Sequence, residues 1–176
     1  MSALDSTRKF LIHTLPMSQP FRVLFVCMGN ICRSPTAHGV FRQKVADAGL
    51  AEVIEVDSAG THNFHPGSPP DRRSQAYAAK RGYDFADLRA RQIRGADFEH
   101  YDLILVMDAE NLAAVGAVCP SLHRGKIRRL TDYCLRFIDS DEVPDPYYGS
   151  AQDFERVLDL VEDACDGLMQ QLRAGA

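Results

Sequence analysis

The 176 residues are 45% apolar and 25% charged, with a net charge of −4, the balance of an ordinary soluble globular chain. That length fits one domain, able to bury roughly 70% of its unfolded surface without disulfides or metals. The acidic balance argues against nucleic-acid and anionic-membrane partners, and no apolar run approaches the ~18 residues that span a bilayer.

Residues 1–20 show no periodicity, end in Pro20 and read as a flexible tail before a single domain over 21–174, with Met17 an alternative start. The apolar stretch from Phe10 to Leu15 is short for a signal peptide and contains His13, so the expected location is cytoplasmic. Secretion by a signal-independent route stays open. Val23-Leu24-Phe25-Val26 has the continuous apolar character of a strand buried on both faces. A helix follows over Ser34 to Ala48, with Ala37, Val40, Phe41, Val45 and Ala48 on one face. Ser34 is its expected N-cap, Pro35 its first helical residue and Gly49 its stop.

Val53 to Val56 is a second strand, and Asp71 to Arg81 a second helix stopped by Gly82. Leu103 to Val106 is a third strand, with Asp108 capping the helix after it, and Ile127 to Leu130 a weaker edge strand. Ser150 to Leu172 is the clearest helix. Phe154, Val157, Leu158, Val161, Cys165, Leu168 and Leu172 form its stripe, and Ser150 pairs with Asp153 as a cap. This alternation predicts an α/β fold, a parallel sheet covered by helices on both faces. In such folds ligands bind beyond the carboxyl ends of the strands, which points to Cys27–Arg33, Ser58–Phe64 and the segment after Met107.

Five scattered cysteines form neither a disulfide framework nor a zinc knuckle, and Cys119, Cys134 and Cys165 read as buried thiols. The chemistry concentrates in Cys27-Met28-Gly29-Asn30-Ile31-Cys32-Arg33-Ser34, between a buried strand and a helix start. A loop curling into a helix N-terminus offers convergent N–H groups and a positive field to a phosphate dianion. Gly29 supplies freedom for the curl, Asn30 tolerates left-handed geometry, and Arg33 adds a planar fork for two phosphate oxygens. The same field favours the thiolate at Cys27, to which the Ser34 hydroxyl can donate. A Walker loop would need Gly-Lys before the serine, and a dinucleotide loop three spaced glycines; neither is present.

The run from Val26 to Pro35 resembles the signature of the low-molecular-weight protein tyrosine phosphatases, in the form found in bacteria. The likeness continues through Asp57-Ser58-Ala59-Gly60-Thr61, Ala90-Arg91-Gln92-Ile93, Met107-Asp108 and Asp145-Pro146-Tyr147-Tyr148-Gly149, covering about residues 21–172. The resemblance implies a three-layer α/β/α fold around a four-stranded parallel sheet, flavodoxin-like in arrangement, without metal or cofactor. It also implies a phosphocysteine intermediate on Cys27.

Expelling a tyrosine oxygen, whose phenol titrates near ~10, calls for a positioned acid. Among Asp132, Asp139, Asp141, Glu142 and Asp145, the prolines flanking Asp145 favour it modestly, by stiffening its backbone. The resemblance assigns it as the general acid and base. Phe64, Tyr147 and Tyr148 are expected as aromatic walls for a phosphotyrosine ring, with Met28 and Ile31 on the rim. The resemblance further implies a redox partnership of Cys32 with Cys27 and phosphorylation of Tyr147 and Tyr148 by a tyrosine kinase. Leu88 stands where many relatives place a histidine, leaving Asn30, Ser34 and Ser58 as the supporting polar residues. His62 and His65 lie near the pocket loop and read as surface residues, while Asp71, Arg72 and Arg73 read as loop ties or helix caps.

The expected partners are phosphotyrosine-containing proteins, among them a cognate tyrosine kinase, and the expected state is a monomer or weak dimer. Two other readings compete. A thiol-dependent arsenate reductase would need a relay of close cysteines after Cys32, and a non-catalytic phosphotyrosine-binding module would be expected to lose its nucleophile or acid. Neither condition is met.

Overall fold

The computed structural model describes residues 19–174; the predicted tail falls almost wholly outside them. Four strands, β1 (Phe21–Cys27), β2 (Ile54–Gly60), β3 (Leu103–Val106) and β4 (Ile127–Arg129), form one parallel sheet in the order β2-β1-β3-β4. Five α-helices flank it: α1 (Arg33–Asp47), α2 (Arg72–Ala79), α3 (Gly95–His100), α4 (Ala109–Val118) and α5 (Ala151–Ala174). This is the three-layer arrangement expected. None of the helices described is long and apolar enough to cross a membrane.

Alternation along the central strand divides the core. Phe21, Val23, Phe25 and Cys27 join a cluster with Val40 and Phe41 of α1 and Val157, Val161 and Leu168 of α5. Leu24 and Val26 face the other way, onto Phe98 of α3 and Val115 of α4. Both faces of β1 are therefore dry, which explains its unbroken apolar run. The three remaining cysteines are buried thiols in these clusters, Cys134 and Cys165 in the first and Cys119 in the second.

Several boundaries differ from the sequence reading. Helix α1 begins at Arg33 with Cys32 as its cap, so Ser34 and Pro35 lie inside the first turn. Ser34 is drawn away from capping because its hydroxyl faces Cys27, Asn30 and Ala59. Strand β2 starts at Ile54 and runs on to Gly60, since its polar half pairs in register with β1 as far as Cys27. Helix α2 ends at Ala79, two residues early, before the left-handed Gly82. The six-residue α3 was not anticipated: it is too short for a periodic signal, and Phe98 alone is its large buried side chain.

Helix α5 fixes the segment that leads to the acid loop. Asp163, buried inside its apolar stripe, accepts the N–H groups of Leu135, Arg136 and Phe137 at 2.9–3.0 Å. Burial alone would raise this carboxyl, but those bonds outweigh it and hold it below the usual carboxylate range. Gly167, one turn on, lets the chain pass so close that a Cβ would sit 1.8 Å from the Tyr133 carbonyl oxygen. At the start of α5, Asp153 accepts from both the N–H and the hydroxyl of Ser150, the expected pair.

Candidate active site

Parallel pairing brings the carboxyl ends of β1, β2 and β3 to one edge of the sheet, and Cys27, the last residue of β1, lies there opposite Gly60. The chain then curls through Met28–Cys32 into α1. A Cβ on Gly60 would meet the Met28 carbonyl oxygen at 2.7 Å and the Asn30 nitrogen at 3.2 Å, so β2 presses directly on the back of the loop. The left-handed residue of the curl is Asn30, at φ 56°, and not Gly29, which keeps a negative φ. Asn30 is held there at both ends of its amide: its nitrogen donates to Ser34 Oγ at 2.8 Å, and its oxygen accepts the Arg91 N–H at 3.0 Å. The Asn30 support is thus closed without a histidine at position 88; Leu88 packs against the apolar core.

Ser34 Oγ lies 3.1 Å from Cys27 Sγ and 3.3 Å from the Ala59 carbonyl oxygen. The hydroxyl has one proton and already accepts from Asn30. When Cys27 is a thiolate, the charge-assisted bond to sulfur is the stronger of the two choices.

Arg33 is among the most buried side chains of the protein, 2% exposed. Its Nη1 donates to Asp108 Oδ2 at 2.5 Å and to the Val143 carbonyl at 3.1 Å, and its Nη2 lies 3.5 Å from Asp145 Oδ2. Burial opposes its charge, but Cys27 and the carboxylates of Asp108 and Asp145 outweigh it and raise its basicity. Asp108 does two jobs, since its other oxygen caps α4 by accepting the Asn111 N–H at 2.7 Å. The sequence reading found the cap and missed the hold on Arg33, because the partners are 75 residues apart.

Asp145 stands across the cleft. Its Oδ1 accepts the Tyr147 N–H at 3.2 Å, and its side chain is 46% exposed. Val143, buried just before it, ties the loop to the end of β3 by donating to the Met107 carbonyl at 2.7 Å. Arg73 secures the other side: it donates to the Tyr147 carbonyl at 3.0 Å, lies over the Tyr147 and Phe154 rings, and pairs with Asp71. Asp71 caps α2 and donates its N–H to the Ile31 carbonyl, so it couples the phosphate loop to the acid loop. Of Asp71, Arg72 and Arg73, the structure shows the tie and cap roles for Asp71 and Arg73.

Between these parts lies a cleft of about 330 Å³. Cys27, Met28, Gly29, Ile31, Cys32, Arg33, Phe64, Asp145, Tyr147 and Tyr148 line it. Asn30, Ser34 and Ser58 are buried behind. Tyr147 and Tyr148 meet edge to face at 4.8 Å, and Phe64, 61% exposed, stacks on His62 at 4.8 Å. His65, expected near the pocket loop, is half-buried and also lines the cleft, beside Gly29. The other acids of the C-terminal third do not line the cleft. Asp132 accepts from the Arg129 N–H, and Glu142 from the Ala109 N–H. Among the described residues no group of three or more His, Cys, Asp or Glu side chains could hold a metal ion.

Cys32 is buried at the far end of the loop from Cys27, where it caps α1. Burial first, then the charge of Asp71, pushes its thiol up to about 12, so it stays protonated at neutral pH.

His38, on α1 behind the loop, is 6% exposed, with Nδ1 3.1 Å from Ser58 Oγ and 4.0 Å from Asp57 Oδ1. Burial pushes its imidazole down to about 4 against the pull of Asp57. An unfolded histidine titrates near ~6.5. Between those values the unfolded chain binds more protons, so this contribution is full above ~6.5 and is lost as pH falls towards 4. The melting temperature should therefore drop through this window, by an equivalent of about 3 kcal/mol at most. Calorimetry of the wild type against His38→Asn checks this; equal pH slopes would refute it.

The family model described as low molecular weight phosphotyrosine protein phosphatase matches residues 22–176. A low molecular weight protein-tyrosine-phosphatase of Streptomyces coelicolor is 44% identical over 155 residues, covering 87% of this chain and 94% of that protein. The low molecular weight phosphotyrosine protein phosphatase of Homo sapiens is 38% identical over 154 residues, covering 85% and 94%. Among solved structures, a protein tyrosine phosphatase of Entamoeba histolytica superposes with a TM-score of 0.85 at 39% identity, covering 88% of this chain and 98% of that one.

Proposed function

The chain belongs to the low molecular weight phosphotyrosine protein phosphatases and has their activity, and we propose that it hydrolyses phosphotyrosine in two steps through phosphorylated Cys27. The observation that carries this reading is the placement of Cys27 Sγ at the floor of the cleft, with Ser34 Oγ at 3.1 Å, Arg33 beside it and Asp145 across from it.

In the first step the phosphate sits on the N–H groups of the loop and the free edge of Arg33, whose orientation Asp108 and Val143 hold. The Cys27 thiolate attacks phosphorus while the bond to the phenolic oxygen breaks, and Asp145 gives its proton to that oxygen. In the second step Asp145 takes a proton from water as the water oxygen attacks phosphorus. The sulfur–phosphorus bond breaks, Ser34 donates to the departing thiolate, and inorganic phosphate leaves. Phe64, Tyr147 and Tyr148 flank the aryl ring, and these aromatic walls favour it over an aliphatic phosphoserine.

Rapid mixing with p-nitrophenyl phosphate in EDTA tests the intermediate. A burst of about one p-nitrophenol per enzyme is expected, followed by a slower steady state limited by water attack. Single-phase release, with no phosphorus on Cys27 in acid-quenched peptide mass spectra, would refute the covalent route.

We also assign Cys32 as the resolving thiol. Peroxide converts the Cys27 thiolate to a sulfenic acid, the protonated Cys32 thiol condenses with it, water leaves, and a dithiol reductant restores both. Wild type inactivated by peroxide should recover most of its activity in dithiothreitol, while Cys32→Ala, passing to irreversible acids, should recover less than about a third. Equal recovery would remove the role.

A further inference from the structure

Four polar side chains are buried on the first turns of α1: Arg33, Ser34, Thr36 and His38. Arg33 and Ser34 serve the loop, and Thr36 back-bonds to the Cys32 carbonyl. The mechanism uses nothing of His38. A buried imidazole on a helix that otherwise packs through apolar contacts calls for a reason, and its partners supply one.

Ser34 and His38 are one turn apart, on the same face of α1. They meet consecutive residues of β2: Ser34 Oγ lies 3.3 Å from the Ala59 carbonyl oxygen, and His38 Nδ1 lies 3.1 Å from Ser58 Oγ. Asp57, the residue before, accepts from Arg91 and from the Tyr101 hydroxyl. Arg91 in turn gives its N–H to Asn30, and Asn30 donates to Ser34. The contacts close a ring from His38 through β2 and Arg91 to the loop, and back to α1 at Ser34.

We propose that His38 is a positioning residue for the reaction: through Ser58 it fixes how far α1 slides and turns on β2, and so holds the Ser34 hydroxyl at the Cys27 sulfur. Apolar contacts between a helix and a sheet are non-directional and restrain a small slide less sharply than a buried hydrogen bond, which is directional. Misplacement by about 1 Å can cost on the order of 10²-fold in rate. The inference rests on the reading of Cys27 as nucleophile and Ser34 as its donor.

The test is a double-mutant cycle on turnover of p-nitrophenyl phosphate. His38→Ala should lower kcat about tenfold and lower KM with it, leaving kcat/KM within about twofold, because Ser34 acts on the departing thiolate in the slower second step and not on binding or the first attack. His38→Asn keeps an amide atom where Nδ1 lay and should stay within about threefold of wild type. In a Ser34→Ala background, His38→Ala should cost no further kcat, since the group it positions is gone. Wild-type kcat for His38→Ala, or a full tenfold loss repeated in the Ser34→Ala background, would overturn the proposal; the latter marks a general structural role. Should His38→Ala fail to fold, Ser58→Ala reads the same link from the strand side, with the same fall expected and wild-type kcat overturning it. Cys27→Ser run in parallel separates the two readings: retained turnover there would refute the nucleophile, independently of what the His38 variants do.

Discussion

Cys27→Ser is expected to lower turnover of p-nitrophenyl phosphate in EDTA by about 10⁴-fold or more, equivalent to roughly 5.5 kcal/mol of barrier. The substitution removes little else. Serine is close to cysteine in size, and the loop is held by contacts that bypass the sulfur: Asn30 to Arg91 and Ser34, Gly60 under Met28, Asp71 on Ile31. A serine hydroxyl stays protonated at neutral pH and needs a base to become a nucleophile. Its neighbour here is the Ser34 hydroxyl, itself a poor base, and the cation Arg33 stabilises an anion without accepting a proton. The variant should therefore still bind inorganic phosphate in calorimetry while its turnover is gone. That split distinguishes loss of the nucleophile from loss of the site. Wild-type turnover would send the chain back to a phosphate-binding fold with another chemistry.

Asp145→Ala should lower kcat/KM by about 10²–10³-fold for tyrosine phosphate, and less for p-nitrophenyl phosphate, whose leaving group needs a proton less. The reason lies in the cleft. Among the described residues Asp145 is the one carboxylate that lines the cleft, and Asp108, which faces Arg33, is occupied by that guanidinium and by the α4 cap. Among the described residues no second acid lines the cleft to replace it. The dependence of rate on leaving-group basicity should accordingly steepen in the variant, while KM changes little. A loss of kcat/KM identical across leaving groups would mean that in the first step Asp145 acts by orienting Arg33, 3.5 Å away, and not by proton transfer. Asp145→Asn, which keeps the shape and a weak contact to Arg33, separates these: it should be as impaired as the alanine variant if the proton is the point.

Much of this was legible in the chain itself. Strands β1 and β3 are read from four-residue apolar runs because both faces of the central strands are dry, and α5 from its stripe because a long helix with one buried face must repeat. The loop from Cys27 to Ser34 is contiguous, so residue types and spacing alone carry its chemistry. The resemblance to a known family carried Asp145, which local chemistry favoured only modestly over its acidic neighbours.

What the chain could not disclose are the contacts between distant residues. The hold of Asp108 on Arg33, the tie of Arg73 to Tyr147, and the place of His65 in the cleft depend on which loops the parallel sheet brings to one edge. So does the ring that ends in His38. A histidine within a helix has no sequence signature for its partner on a strand twenty residues away. The left-handed residue of the loop fell on Asn30 and not on Gly29 for the same reason, since the bonds that hold it come from Arg91 and Ser34. Local sequence sets propensity, periodicity and the chemical groups available. Only tertiary packing decides which of those groups meet, because hydrogen bonds act over about 3 Å and the chain between their partners is free to take any path.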